Sequence, residues 1–137
     1  MSDTREVQAE WLADSRFRIE SSLGVEAVFD GDREAGLSPM ENLLGSLATC
    51  MGIDVTMILE KMRADLRGLR INVTGERNPQ PPKFYRKIDF AFTVTGDIPQ
   101  DKVERAISLS FDKYCSVFHT LRKDLVVDHK VVIQGGG

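Results

Sequence analysis

Residues 38–66 carry the pattern that most limits what this chain can fold into. Ser38 is a good N-cap, Pro39 fits the first helical position, and Glu41 stands three residues after Ser38, as a capping box requires. Apolar residues then recur at helical spacing to about Leu66, where Gly68 is expected to stop the helix. At about 1.5 Å per residue the span is on the order of 40 Å, the width of a domain this size. Met40, Leu43, Leu44, Leu47, Met51, Val55, Ile58, Leu59 and Met62 cover roughly two thirds of its circumference. Asn42, Thr49, Thr56, Glu60 and Arg63 form the narrow polar strip that is left. Such a helix needs protein on most sides, and one small sheet covers only one. A partner subunit is the natural source of the rest.

The remaining segments read as strands and shorter helices. Residues 7–13, 17–22 and 25–29 suggest an antiparallel meander, followed by a polar loop at 30–37. Leu69, Ile71 and Val73 alternate with polar residues, as do Ile88, Phe90, Phe92 and Val94, and each set marks a half-buried strand. The stiff turn Asn78-Pro79-Gln80-Pro81-Pro82 separates them. Residues 100–113 form an amphipathic helix with Val103, Ala106, Ile107 and Phe111 inside, and 115–122 continue as a further helical segment. A strand at 126–133 precedes a frayed glycine tail at 135–137. This order is α+β, and 137 residues suit a single domain over 1–137. A net charge of -3 with no basic block argues against nucleic-acid binding. No uninterrupted apolar run reaches the ~18 residues of a membrane span, and residues 1–6 carry no apolar signal core. A cytoplasmic location is therefore expected, where a permanent disulfide is disfavoured.

Two cysteines are the chain's only thiols. Cys50 falls on the apolar arc of the long helix, and Cys115 falls where the second helical run breaks and restarts. Two thiols can act as an attacking and a resolving pair through one reversible disulfide. They can equally be two buried structural thiols. Asp54 lies one turn beyond Cys50 on the same face, where its charge opposes a thiolate unless a cation or backbone donor intervenes. It can instead anchor a loop or pair across a subunit interface. Cys115 at a helix start favours the thiolate, and His119 at i+4 is a candidate base or hydrogen-bond donor, or an ordinary surface histidine. The paired cysteine spacings of zinc sites are absent, so neither metal nor cofactor is expected.

The segment from Pro39 to Cys50, with Gly45, Ile53-Asp54-Val55, Ile58-Leu59 and Lys61, together with Tyr114-Cys115-Ser116-Val117, resembles the OsmC/Ohr family. The resemblance covers nearly the whole chain and is nearest the less characterised OsmC-like subgroup. It implies an OsmC-like fold, with antiparallel sheets wrapped around long central helices in an intertwined homodimer. It also implies a thiol-dependent peroxidase in oxidative stress defence. Cys50 would attack an organic or hydrogen peroxide, Cys115 would resolve the sulfenic acid, and a dithiol reductant would restore both. Two positions depart from the family pattern. Met40 occupies the place of the family's glutamate, with Glu41 one residue later, and Val28 occupies the place of its arginine. Arg33 is the best substitute for that arginine, with Arg16 and Arg18 behind it. The alternative is a non-catalytic OsmC-like dimer that binds or senses through an apolar interface pocket near Met40, Met51, Met57 and Phe118. A stress-induced dimer without a ligand is the third reading.

Overall fold

In the computed structural model, which describes residues 3–135, Ser38 caps helix α1 (Pro39–Lys61) as its sequence requires. Its hydroxyl accepts the Glu41 N–H at 3.2 Å, and a Glu41 carboxylate oxygen accepts the Ser38 N–H at 3.1 Å. The other end of the helix corrects the expected span. The Ala64 N–H reaches the Leu59 carbonyl at 3.0 Å and the Arg63 N–H reaches that of Glu60 at 3.0 Å, with Arg63 at φ 56°. This is a Schellman stop built on an arginine instead of the usual glycine. Gly68 lies beyond it, where the following strand pair slips register between Leu66 and Gly68.

Leu47, Met51, Val55 and Leu59, each four residues apart, form the fully buried strip of α1. Ile53 and Met57 face outward, 59% and 50% exposed. By length and composition α1 is long and apolar enough to cross a membrane. The sequence expectation counted uninterrupted apolar residues and did not see this.

The chain divides into two compact units, residues 1–43 and 44–137. The first holds the expected meander, β1 (Val7–Ala13), β2 (Arg16–Ser21) and β3 (Glu26–Asp30), in that order and antiparallel throughout. All seven residues of β1 are exposed, Val7 and Trp11 among them. Asp30, assigned to a polar loop from sequence, is instead buried and organises that loop. Its carboxylate accepts the N–H groups of Asp32 at 2.9 Å, Glu34 at 3.3 Å and Ala35 at 2.9 Å, and the Ser15 hydroxyl at 2.8 Å.

The second unit holds β4 (Asp65–Arg77), β5 (Tyr85–Asp97) and β6 (Val126–Gln134) in that order. β4 and β5 are antiparallel, but β6 runs parallel to β5. The expectation of wholly antiparallel sheets is corrected here, because the helical stretch between β5 and β6 supplies the crossover that a parallel pair needs. Ile88, Phe90, Phe92 and Val94 of β5 are buried as their alternation predicts. Val103, Ala106 and Ile107 are buried on α2 (Gln100–Leu109), whose helical run becomes a π-turn at Ser110–Tyr114 before α3 (Ser116–Thr120). A Cβ at Gly52 would lie 3.3 Å from the Ile71 side chain, so α1 comes close to β4 at that point. Residues 136 and 137 of the expected glycine tail lie outside the described residues.

The backbone donors of the loop, first of all that of Ala35, hold the Asp30 carboxyl well below the usual carboxylate range. Its folded pKa is depressed, so its stabilisation is full above the unfolded value of about 3.9 and fades as pH falls below it. Asp30→Asn is expected to lower the unfolding midpoint at neutral pH and to flatten its decline in acid. Thermal unfolding across that pH range checks both.

Candidate functional site

A chain of aromatic contacts places Cys115. Phe90 on β5 meets Phe111 of the π-turn edge-on at 5.4 Å, and Phe111 meets Phe118 of α3 edge-on at 5.2 Å. The wider turn is closed by the Cys115 N–H, which donates to the Ser110 carbonyl at 2.8 Å. Cys115 is then the N-cap of α3, its sulfur accepting the Phe118 N–H at 3.4 Å.

The two thiols meet within this frame. Cys50 is half-buried, Cys115 is fully buried, and both are free. The Cys50 side chain lies near that of Cys115, although they are 65 positions apart in sequence. Burial pushes the Cys115 thiol up to about 11, the Phe118 N–H pulls the other way, and the Cys50 side chain and the Asp54 charge add to the rise. The cap geometry expected from sequence is present, yet desolvation outweighs it. Cys115 holds its proton at neutral pH.

Asp54 reaches this centre through a residue that the sequence reading missed. Ser110 is fully buried, donates to Asp54 Oδ2 at 2.8 Å and lies 3.2 Å from Met51 Sδ. The signal was present: Ser110 continues the Val103, Ala106, Ile107 face at i+7, and a hydroxyl on a buried face needs a partner. His119 is exposed, and its Nε2 donates to the Phe111 carbonyl at 2.9 Å, so that nitrogen is committed to the π-turn. Arg33 sits at φ 63° and pairs with Glu41 at 3.2 Å. The Ser38 N–H first, and Arg33 after it, hold Glu41 below its ordinary value, and Glu41 completes the capping box of Ser38. Arg16 pairs with Asp30 at 3.4 Å and Arg18 with Glu10 at 2.6 Å.

A groove of about 390 Å³ opens beside Asp54, lined by Met57, Ile58, Met62, Leu109 and Tyr114 with Lys61 and Arg105. Of the methionines and phenylalanine expected around a pocket, Met57 lines this groove, Met51 lies in the core, and Phe118 packs on Phe111. Among the described residues, no cluster of three or more His, Cys, Asp and Glu side chains is placed to hold a metal ion.

The family model described as OsmC-like protein matches residues 30–130. The chain belongs to the OsmC-like family. Protein YhfA of Escherichia coli (strain K12) is 35% identical over 126 residues, covering 90% of this chain and 94% of that protein. The crystal structure of a hypothetical protein from Aquifex aeolicus VF5 matches with TM-score 0.90 at 30% identity, covering 98% of each chain. The organic hydroperoxide resistance protein OhrB of Bacillus subtilis matches with TM-score 0.64 at 16% identity, covering 96% of this chain and 98% of that one, a likeness of fold alone. Both cysteines lie within the span matched by the OsmC-like family model.

The raised Cys115 thiol also fixes an alkaline signature. The unfolded chain ionises this group first, so stability is full below about pH 8.5 and falls as pH rises toward the folded value. Cys115→Ala is expected to remove this component of the alkaline decline, which denaturant titrations at rising pH would read.

Proposed function

We propose that this OsmC-like protein reduces organic or hydrogen peroxides through Cys50 and Cys115. The observation that carries the reading is the approach of the two thiols, made by segments far apart in sequence. Cys115, fully buried and holding its proton, suits the resolving role, and the more accessible Cys50 suits attack.

The Cys50 sulfur attacks one peroxide oxygen, a sulfur–oxygen bond forms, the oxygen–oxygen bond breaks, and the alkoxide takes a proton to leave as the alcohol. Cys50 is now a sulfenic acid. The Cys115 sulfur then displaces hydroxide from it, a disulfide forms, and the Cys115 proton joins the hydroxide as water. An external dithiol reduces the disulfide by exchange, becomes a disulfide itself, and returns two protons to Cys50 and Cys115.

The same reading includes a homodimer. The fully exposed strand β1, with Val7 and Trp11 on it, and the outward Ile53 and Met57 of α1 support it, since single chains rarely leave so much apolar surface uncovered. The groove beside Asp54 supports the second reading, a non-catalytic dimer that binds an apolar ligand.

Peroxide consumption separates the two. Wild-type protein with excess dithiol is expected to consume cumene, tert-butyl or hydrogen peroxide. Cys50→Ser is expected to lose at least about 100-fold in rate, and Cys115→Ser to accumulate a trapped sulfenic acid or an intermolecular disulfide. No consumption by the wild-type protein under any of these peroxides would end the peroxidase reading.

A further inference from the structure

Thiol chemistry alone does not explain why a serine and a carboxylate stand behind the two sulfurs. Ser110 grips both sides of the site. Its hydroxyl donates to Asp54 on α1 at 2.8 Å, and its carbonyl receives the Cys115 N–H at 2.8 Å across the π-turn. Asp54 lies one helical turn beyond Cys50 on the same face. A half-buried carboxylate that only anchored the fold would cost more than an asparagine of the same shape, which could accept the same serine hydroxyl. What the carboxylate adds is negative charge.

We infer that Asp54, held by Ser110, is a positioning residue of the two-thiol site: its tie to the π-turn holds the Cys115 sulfur beside Cys50 and sets a negative charge next to them. The inference rests on the two-thiol reading above and deepens it. Three groups around one centre can bear negative charge: the Cys50 sulfur, the Cys115 sulfur and Asp54. Complete burial makes Cys115 a costly place for a thiolate, and the Asp54 charge adds to that cost. The Phe118 N–H faces Cys115 from α3, Lys61, Arg105 and Tyr114 line the groove shared with Asp54, and the His119 ring is held by the Phe111 carbonyl. Without the Asp54 charge Cys115 ionises more readily, but burial, the larger cause, still holds its proton at neutral pH, so Cys50 keeps the attacking role.

The test needs no peroxide for its first half. Thiolate absorbance of Cys115 is titrated in Cys50→Ser protein and in Cys50→Ser/Asp54→Asn protein. The second midpoint is expected to lie about one pH unit lower, or about tenfold more thiolate at a given pH, and Asp54→Glu is expected to restore it. In the second half, protein with both cysteines is oxidised with less than one equivalent of peroxide and the sulfenic acids are trapped. The trap is expected on Cys50 alone in the wild type and in Asp54→Asn. An unchanged midpoint, or a trap on Cys115 in the wild type, overturns the inference. Should Asp54→Asn fail to fold, Ser110→Ala keeps the charge and removes the tie. Disulfide closure after sulfenic acid formation is then expected to slow about tenfold or more, and an unchanged closure rate overturns the positioning role. A shifted midpoint in a protein that consumes no peroxide would end the peroxidase reading while leaving the control of the Cys115 proton in place. A flat titration in an active protein would do the reverse.

Discussion

The hydrogen bond from Ser110 to Asp54 joins residues 56 positions apart, and the placement of the sulfurs depends on it. A buried hydroxyl without a partner costs roughly 1–3 kcal/mol, so Ser110 cannot drift from α1 without penalty. The same residue closes the π-turn through its carbonyl, which transmits that position to Cys115. Phe111 and Phe118 reinforce the turn from the other side, one ring against the β5 core and the next against it. A regular α-helix through this stretch would bond the Cys115 N–H to the fourth residue back instead of the fifth. It would also rotate everything after it by about 100° per residue inserted or lost. The two thiols meet because the helix is widened at this point.

Much of this fold was legible in the chain, and the failures have identifiable causes. Ser38, Pro39 and Glu41 announced the start of α1 correctly because a capping box is a local device written in three residues. The end of α1 was placed five residues late because the left-handed position of its stop is held by Arg63, and sequence reading looks for glycine there. Alternation identified β5 residue by residue, since one of its faces is buried and the other is not. The parallel pairing of β6 left no trace in its own residues, because it depends on the crossover before it. In the candidate site, Cys50 and Asp54 were singled out by position on a helix face, and Cys115 by the break between two helical runs. Ser110 was passed over because the helical pattern around it hides an i+5 bond. Asp30 was passed over because a charged residue in a glycine-containing loop reads as solvated, whereas its carboxylate is the acceptor around which that loop turns.

Cys115 shows how two sound local arguments can point in opposite directions and be settled by magnitude. Position at a helix start argues for a thiolate, and the Phe118 N–H does reach the sulfur, but at 3.4 Å and from a helix of one turn. Complete loss of solvent argues for the thiol, and it acts on the whole side chain. Desolvation prevails, and the neighbouring negative charge adds to it. A resolving thiol can work in this state, since it need give up its proton only as the disulfide closes and hydroxide leaves. An attacking thiol could not, which is why the more accessible Cys50 is the one assigned that step.

The outer face of α1 raises the question of what covers it. Ile53 and Met57 are exposed, and the helix is long and apolar enough to sit in lipid by composition alone. The position of Asp54 argues against a bilayer. It falls in the second half of the helix, well away from either end, and a carboxylate near the middle of a bilayer costs about 2.5–3.5 kcal/mol even on lenient scales. In the fold that carboxylate already has the Ser110 hydroxyl, and the groove beside it carries Lys61 and Arg105. A protein surface can meet this mixture of apolar side chains, one carboxylate and two cations with matching groups of its own, which hydrocarbon cannot do. The second copy of the chain proposed above has such a surface: its own α1 presents Ile53 and Met57, and an isologous contact sets like apolar patches against each other. The acid that opposes ionisation of Cys115 is thus also the residue that favours a protein partner over lipid at this helix.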